Sequence, residues 1–452
     1  MRELHSITQA SPLRLTNGEK NILDKIVKFL EKTKNIDRST YIWNTVSATV
    51  LAMQGPVIQA VVSRTNGQED LGVFAIAFSV ATLMMYVGQY GIRRFQASDV
   101  KEQFSFEEYH GMRIITCVML VIASLAYCMY GRAFRGYSDT KFAVIFMVCM
   151  LKMIMAYSDV YHGNMQQKGR FDVAAKATAI RYTAELVIFC LMLIFTHRLL
   201  LSAVVTVSCS AVMMFMLSVN AGRHYCGSLR PVFRKPALKG LFIEGFPLFV
   251  SMFLNTYVSN APRYAIDAYL NDDIQAVFSC IFMPVFVVQV VGQFIFNPLI
   301  TSYAHMWNQK TKESFDGLIK RIKKMSLAVV GLALFGLLVA ATIGIPVLSA
   351  VFGLDLTDYK KELCIIMLGG GPLAFSVYFS TIIAIIRAQK SLIFCYGGVS
   401  LLSLAVSKFF VQGGGITGAS WMYVLLMAVL AVSLFAAMYR RLVQENQSLK
   451  DQ

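Results

Sequence analysis

The chain has 452 residues, of which 56% are hydrophobic and only 15% are charged. Soluble domains carry about 25% charged residues, so this chain has too few charges for an ordinary soluble surface. A net charge of +16 would suit a nucleic-acid binder, but basic residues also concentrate in the cytoplasmic loops of membrane proteins. The composition therefore excludes a cytosolic enzyme, a nucleic-acid-binding protein and a disordered chain, and it predicts a polytopic membrane protein.

The N-terminal segment, residues 1–40, is polar and lacks the apolar core of a signal peptide. Within it, residues 22–34 have the pattern of a cationic amphipathic helix that lies on the inner leaflet, with a solvated tail as the alternative. From residue 41 onwards, twelve apolar runs are long enough to cross a bilayer. These predicted spans are 41–63, 71–92, 112–131, 141–162, 177–195, 199–221, 243–266, 274–298, 325–351, 363–386, 391–410 and 416–438.

The distribution of Lys and Arg predicts the orientation of the chain. An even number of spans places both termini on one side of the membrane. The segments on that side carry about thirty Lys and Arg residues, whereas those on the other side carry only about six. By the positive-inside rule, both termini are therefore expected to be cytoplasmic.

A weak internal repeat relates the two halves of the chain. A shift of 204 residues aligns residues 73–74 with 277–278, and residues 87–90 with 291–294. These segments belong to the second and eighth predicted spans, which are six spans apart. Because six is an even number, the two halves would have the same orientation in the membrane. Transporters with that symmetry rock about a site near the bilayer midplane. Chance similarity between two apolar sequences is the alternative.

Sequence motifs for nucleotide hydrolysis and for hydrolytic catalysis are missing. The chain contains no G-x-x-x-x-G-K-[ST], no HExxH and no G-x-S-x-G. Its nine cysteines lie mostly in apolar runs without metal-ligand spacing, so they are interpreted as packing residues. We therefore expect a transporter and not an enzyme, with no cofactor and no bound metal, although coupling to H⁺ or Na⁺ stays open.

Charged residues inside the predicted spans mark the candidate site, because each costs at least about 2.5–3.5 kcal/mol at the bilayer centre. Lys152 and Asp159 lie on one face of the fourth span, two turns apart. Arg181 and Glu185 in the fifth span have the i, i+4 spacing of an internal ion pair. Either set could serve transport, or it could only join helices to each other.

The seventh span repeats this spacing with Arg263 and Asp267, and Pro262 predicts a helix break that would form an anion site beside the arginine. Snorkelling to the interface is the alternative for Arg263, and Arg113 and Lys141 are interpreted in that way. The basic residues in the spans outnumber the acidic ones, which favours an anionic cargo. In the eighth span, Gln289, Gln293 and Asn297 form an uncharged polar stripe. Such a stripe is expected to line a cavity or to join helices.

Two short stretches resemble motifs of a known family. Residues 64–74 (RTNGQEDLGVF) resemble the R-x-x-G-x-x-x-x-G-x-F/Y signature of bacterial polysaccharide-export flippases, which belong to the multidrug/oligosaccharidyl-lipid/polysaccharide exporter superfamily. Residues 260–267 (NAPRYAID) resemble the N-x-P-R-Y-x-I-D element in the seventh span of these proteins. The resemblance extends over about residues 40–440 in span order and loop length. It carries Arg64 and Arg263 over as candidate headgroup-binding or gating residues.

The resemblance implies an all-α polytopic membrane protein with two six-helix bundles around a V-shaped central cavity. It also implies an isoprenoid (pyro)phosphate-linked sugar repeat unit as cargo, which suits arginines because guanidinium groups bind phosphate well. The expected substrate-binding residues are Arg64, Lys152, Arg181 and Arg263, and the expected coupling or gating residues are Asp159, Glu185 and Asp267. The expected segments are a tail (1–40), a first bundle (41–221), a linker (222–242), a second bundle (243–438) and a second tail (439–452).

The predicted function is a flippase that moves this lipid-linked oligosaccharide to the outer leaflet of a bacterial cytoplasmic membrane by alternating access, for surface polysaccharide synthesis. Expected partners are the substrate, membrane lipids, a polysaccharide polymerase and glycosyltransferases, but no nucleic acid. A cation-coupled multidrug exporter of the same fold is the main alternative, although organic cations favour an acidic lumen. A membrane polysaccharide polymerase or ligase is disfavoured, because the longest outer loop has only about a dozen residues.

Overall fold

The chain folds into helices in the computed structural model. The structure describes residues 17–99, 102–296 and 299–450, and within these ranges it contains no strand. The helices are α1 (Asn17–Glu31), α2 (Ile36–Thr65), α3 (Gln68–Gln89), α4 (Ile92–Ser98), α5 (Phe106–Phe134), α6 (Asp139–Gln167), α7 (Phe171–Thr196), α8 (Leu199–Gly222), α9 (Lys235–Tyr269), α10 (Asp272–Ile281), α11 (Met283–Phe296), α12 (Leu299–Asn308), α13 (Lys312–Phe352), α14 (Lys360–Ile385) and α15 (Lys390–Lys450).

Eleven helical segments in the described part of the chain are long and apolar enough to cross a membrane. This confirms a multi-pass membrane protein. The sequence predicts twelve spans, and the difference lies in α15, which has 61 residues, whereas one crossing needs about 20. Gly415, with φ 53° and ψ −138°, interrupts the helical backbone of α15, and each of the two parts is long enough for a crossing.

The helices pack as two groups. In the first bundle (α2–α8), α2 packs along α7, and both α3 and α5 pack on α6. In the second bundle (α9–α15), α9 and α14 pack along α15, while α11 and α13 pack on α14. The largest contact between the bundles joins α3 to α10. There, a Cβ on Gly72 would lie 1.9 Å from the carbonyl oxygen of Asp272, so this approach of the two backbones requires glycine.

The helix ends define two sides of the molecule, which we call the basic side and the opposite side. The positive-inside rule predicts that the basic side is cytoplasmic. The connections on the basic side are residues 168–170, 223–234, 309–311 and 386–389, together with the described residues around α4, which are 90–99 and 102–105. The connections on the opposite side are residues 66–67, 135–138, 197–198, 270–271 and 353–359, together with the kink at Gly415.

Helix α9 runs without a break through Pro247 and Pro262, so the predicted helix break beside Arg263 is wrong. Membrane helices tolerate proline where neighbouring elements pack against them, and α9 packs along both α3 and α15. The interruption lies instead in the eighth span, where α10 ends at Ile281 and α11 begins at Met283.

Candidate functional site

A cavity of about 550 Å³ lies on the basic side, between the first bundle and α9. Arg93 and Arg94 of α4, Asp159 and Gln166 of α6, and Met252 of α9 are among the residues that line it. Arg94 is exposed and Arg93 is partly exposed, so the cavity is accessible from this side. Helix α4 places both arginines there because the chain turns at Tyr90 and Gly91, which have positive φ.

Asp159 lies between two arginines in the wall of this cavity. Arg93 donates a hydrogen bond of 2.7 Å to one carboxylate oxygen, and Nη2 of Arg113 lies 3.9 Å from the other. Among the described residues, Nε and Nη2 of Arg113 have no hydrogen-bond partner. Two guanidinium groups face one carboxylate, and Arg94 adds a third positive charge. The cavity therefore has an excess of positive charge that an anion could neutralise.

The interpretation of Arg113 and Lys141 as snorkelling residues is wrong. Arg113 is fully buried, and its Nη1 donates to the carbonyl oxygen of Gly88. Lys141 is 8% exposed, and its Nζ lies 2.9 Å from Asp267 and 2.6 Å from Asp272. Snorkelling brings a charged group to water, whereas both of these side chains reach acceptors inside the protein.

Asp267 of α9 joins the second bundle to the first on the opposite side. Its carboxylate lies 2.8 Å from Nη1 of Arg135 and 2.9 Å from Nζ of Lys141. The hydroxyl groups of Tyr127, at 3.3 Å, and Tyr137 also donate to it. The Asp267 side chain is fully buried, and all four partners belong to the first bundle. We call these five residues the Asp267 latch.

Arg64 closes the same side at a second place. Its Nε donates to the carbonyl oxygen of Val351 at 2.9 Å, and its Nη2 donates to that of Ala350. These carbonyls lie at the C-terminal end of α13, where a positive charge is favourable. The chain then turns at Gly67, whose φ of +97° favours glycine. Residues 64–74 thus form a contact between the bundles.

Arg263 also lies between the bundles. Its Nη1 donates to Asn260 Oδ1 at 3.0 Å and lies 3.5 Å from Ser79 Oγ of α3. The guanidinium carbon lies 4.9 Å from the centroid of the Phe282 ring. In the part of the chain that the structure describes, its Nε has no hydrogen-bond partner. Arg263 and Asp267 share the i, i+4 spacing of an ion pair but do not pair, because the Asp267 latch uses that carboxylate.

Arg181 and Glu185 form the predicted i, i+4 pair inside the first bundle, with 3.3 Å between Arg181 Nε and Glu185 Oε1. Ser210 of α8 donates to the same carboxylate at 2.5 Å, and Gln54 of α2 donates to it at 3.2 Å. Both charged side chains are buried. This cluster therefore joins α2, α7 and α8, and it lies apart from the 550 Å³ cavity.

Lys152 is buried inside the first bundle as well. Its Nζ lies 4.8 Å from the centroid of the Phe78 ring, which is a cation–π distance. Lys152 and Glu185 line a pocket of about 10 Å³, which is close to the space of one water molecule. Of the residues predicted for binding, coupling or gating, Asp159 is the one that the described structure places in the larger cavity.

The predicted polar stripe of the eighth span stays a prediction. Gln289 is partly buried, the side chain of Gln293 is not described, and Asn297 lies outside the described residues. Sequence reasoning also missed Arg93 and Arg94, which lie just beyond the predicted second span. Arginines in that position are an ordinary positive-inside signal, so their local sequence does not distinguish them from other loop residues.

A sequence profile of the polysaccharide biosynthesis protein family matches residues 39–304. Curated protein sequences contain no significant match to the chain. Solved structures of transporters share its fold. Their sequences have low identity to this chain, so the similarity establishes the fold alone.

The inward-facing conformation of a multidrug resistance MATE family transporter of the MOP superfamily superposes with a TM-score of 0.68, at 13% identity, over 89% of this chain and 99% of that chain. The outward-facing conformation of such a transporter gives 0.56 at 16% identity, over 94% and 99%. The Vibrio cholerae MATE transporter VcmN in its bent form gives 0.56 at 13% identity, over the same shares. Because the family profile covers more than half of the sequence, the chain belongs to the polysaccharide biosynthesis protein family.

Proposed function

We propose that this protein is a flippase that carries an isoprenoid (pyro)phosphate-linked oligosaccharide repeat unit from the cytoplasmic to the outer leaflet. The observation that carries the proposal is the basic cavity around Arg93 and Arg94, accessible on one side, while Arg64 and the Asp267 latch close the other. An anionic headgroup complements the charge of this cavity. Membership of the polysaccharide biosynthesis protein family supports a cargo that bears sugars.

The contacts suggest how the headgroup would bind. Asp159 accepts a hydrogen bond from Nη1 of Arg93, so a phosphate that binds both Nη groups of Arg93 would displace that carboxylate. The displaced Asp159 keeps Arg113 as a neighbour, which lowers the cost of the exchange. Arg93 can then bind the phosphate through two parallel hydrogen bonds. The isoprenoid chain would stay in the bilayer while the sugars enter the cavity.

Transport then requires the opposite side to open and the basic side to close. The higher TM-score against the inward-facing transporter, 0.68 compared with 0.56 for the outward-facing one, supports an inward-facing state here. Arg263 lies between the bundles with an Nε that has no partner among the described residues. It is therefore placed to receive the anionic headgroup once the Asp267 latch opens. Any coupling to H⁺ or Na⁺ would act on Asp159, Glu185 or Asp267, three of the acidic residues that are buried in the protein.

The proposed cargo places the protein in the bacterial cytoplasmic membrane. Glycosyltransferases must build the repeat unit on its lipid at the cytoplasmic face before transport, and a polymerase must consume it at the outer face. The chain itself needs to make or break no covalent bond in this cycle, so we infer that it is a transporter and not an enzyme.

The shared fold with MATE transporters makes cation-coupled multidrug export the second candidate function. An organic cation in the 550 Å³ cavity would meet Arg93 and Arg94, while the carboxylate in its lining, Asp159, is already neutralised by Arg93. The charge of the cavity therefore favours the anionic cargo.

The test is leaflet-resolved detection of radiolabelled lipid-linked oligosaccharides in cells depleted of this protein. Wild-type protein should restore transport, and Arg93→Gln at equal abundance should leave complete repeat units on the inner leaflet. Arg132→Gln is the matched control, since Arg132 is 61% exposed and pairs with Asp139 on the opposite side. Restored transport by Arg93→Gln would remove this arginine from the site. Unchanged lipid-linked sugars with greater sensitivity to cationic dyes would indicate drug export, and unpolymerised units on the outer leaflet would indicate an enzyme.

A further inference from the structure

Helix α1 has two faces of different chemistry. One face is apolar, and the other combines three lysines with one aromatic ring. Each face follows the i, i+3, i+4, i+7 spacing of a helix surface, and the two are offset by two residues, or about 200° of rotation, so they point in opposite directions. The apolar face contains Leu23, Ile26, Val27 and Leu30. The basic face contains Lys25, Lys28 and Phe29, and Lys32, the first residue after the helix, continues it.

The apolar face of α1 packs against the first bundle. Val27 and Leu30 are 2% and 0% exposed, and the helix contacts α7 and the end of α8. Lys176 of α7 donates to the carbonyl oxygens of Leu30 at 2.9 Å and Lys32 at 3.0 Å. The bundle thus supplies partners for carbonyl groups that a helix end leaves unpaired. The predicted amphipathic helix is present, but its apolar face contacts the protein and not the membrane.

Further hydrogen bonds fix the middle and the C-terminal end of the docked helix. Asn220 donates to the carbonyl oxygen of Leu23 at 3.0 Å, and Arg170 donates to that of Glu31 at 3.1 Å. The hydroxyl of Tyr225 donates to the Glu31 carboxylate at 2.7 Å. Burial and this carboxylate raise the pKa of Tyr225, so the phenol stays protonated and keeps donating. The position of α1 is therefore set by the protein itself.

Docking leaves the basic face of α1 uncovered. Phe29 is 62% exposed, and Lys25, Lys28 and Lys32 around it are exposed as well. The Glu31 carboxylate is turned inward to Tyr225, so within residues 23–32 the three lysines face one exposed carboxylate, that of Asp24, and the surface keeps a net positive charge. The four residues 32–35 connect α1 to α2, which keeps α1 close to the plane where the first span enters the membrane on the basic side.

We propose that Lys25, Lys28, Phe29 and Lys32 form a binding face for the anionic lipid surface on the basic side of the membrane. Lysines near the membrane plane attract anionic headgroups, and an aromatic ring between them inserts at the interface. The first bundle holds one face of α1 and the lipids hold the other, so α1 ties the ends of α7 and α8 to the membrane surface. This inference needs only the membrane topology and is independent of the cargo.

The experiment uses the full chain in nanodiscs of phosphatidylcholine with about one quarter phosphatidylglycerol, an anionic lipid. The Phe29→Trp variant reports on lipid contact, with the wild type as the background from Trp43, Trp307 and Trp421. Two preparations are compared. In one, phosphatidylglycerol carries bromine, which quenches tryptophan on contact, and in the other an equal amount of phosphatidylcholine carries it. We expect brominated phosphatidylglycerol to quench the introduced tryptophan more than brominated phosphatidylcholine does, together with a blue-shifted emission.

The triple variant Lys25→Gln, Lys28→Gln and Lys32→Gln should abolish the preference for phosphatidylglycerol. The matched control carries Lys320→Gln, Lys323→Gln and Lys324→Gln, which remove the same charge from exposed positions in the first turns of α13. It should keep the preference for phosphatidylglycerol. Equal quenching by both lipids in the parent Phe29→Trp protein would overturn the proposal, and so would unquenched emission typical of water. Protection of the α1 amides from hydrogen exchange checks that α1 stays docked in the triple variant. If the triple variant loses this protection, the single variant Lys28→Gln is used in its place.

Discussion

Replacing Asp267 with asparagine should shift the protein towards a state that is open on the opposite side. The buried carboxylate pairs with Arg135 at 2.8 Å and with Lys141 at 2.9 Å, and both partners belong to the other bundle. Asparagine has nearly the same size and can still accept a hydrogen bond from Tyr137. The substitution therefore removes the charge that holds two cations together and preserves the packing.

The magnitude follows from the burial of the three charged groups. Removing one partner of a buried ion pair costs about 3–5 kcal/mol, because the other charge stays buried and unpaired. The side chains of Arg135 and Lys141 are 21% and 10% exposed, and Lys141 keeps Asp272 as a partner, so we expect the lower end, about 3 kcal/mol. This loss falls on the closed state alone, so the ratio of closed to open molecules should fall about 100-fold.

Spin labels on the opposite side of the two bundles can measure this shift as a distance distribution. Arg198→Cys and Lys361→Cys place labels at exposed positions, in a variant whose nine native cysteines are replaced. Asp267→Asn should increase the population at long distance. The control is Asp139→Asn, because Asp139 is 81% exposed and its pair with Arg132 lies within the first bundle, so its loss costs little. Identical distributions in the folded Asp267→Asn and Asp139→Asn proteins would refute the reasoning.

Two further predictions concern the other charged contacts. Glu185→Gln should destabilise the first bundle by about 3 kcal/mol, since Arg181 would remain buried without its ion-pair partner; the melting temperature of the purified protein measures this, and an unchanged value would contradict it. Arg64→Lys should weaken closure, because an ammonium group lacks the planar fork that reaches Val351 and Ala350 together. The effect should be smaller than that of Asp267→Asn, since the positive charge is kept. The same label pair measures it, and a distribution equal to that of the wild type would show that the fork is dispensable.

The positions of the spans could be predicted from sequence because crossing a bilayer requires an apolar run of fixed length. The fifth predicted span, 177–195, lies within α7 (Phe171–Thr196). The polar turns that extend helices beyond the apolar run were not predicted by hydropathy. Helix α5, for example, begins at Phe106 after a capping box between Ser105 and Glu108. That S-x-x-E pattern is visible in the sequence and could have placed the helix start.

Ion pairs within one helix could be predicted, whereas pairs between helices could not. Arg181 and Glu185 pair as their spacing predicts, but Arg263 and Asp267, with the same spacing, do not. Asp267 instead meets Arg135, 132 positions away in the sequence, because the packing of α9 against the first bundle brings two cations and two tyrosines to it. Helical spacing shows which partners are within reach, and the bundle contact decides which of them pair.

Both motifs that carry the family resemblance lie at contacts between the bundles. Residues 64–74 bind the end of α13 and pack on α10. In residues 260–267, Tyr264 donates to the carbonyl oxygen of Ser79 at 3.1 Å, and Asp267 forms the latch. Neither stretch lines the 550 Å³ cavity, so we interpret both motifs as parts of the closure, and Arg263 would meet the cargo only after that closure opens.

Ion pairs suit such a closure for a physical reason. Apolar packing between the bundles would cost about 25 cal/mol for each Å² exposed whenever the opposite side opened. A buried ion pair adds little net stability, because the attraction between its charges is offset by the loss of their hydration. Opening the intact Asp267 latch returns Asp267, Arg135 and Lys141 to water together, at a small net cost. A latch of this kind fixes the geometry of the closed state and still allows the protein to open in every transport cycle.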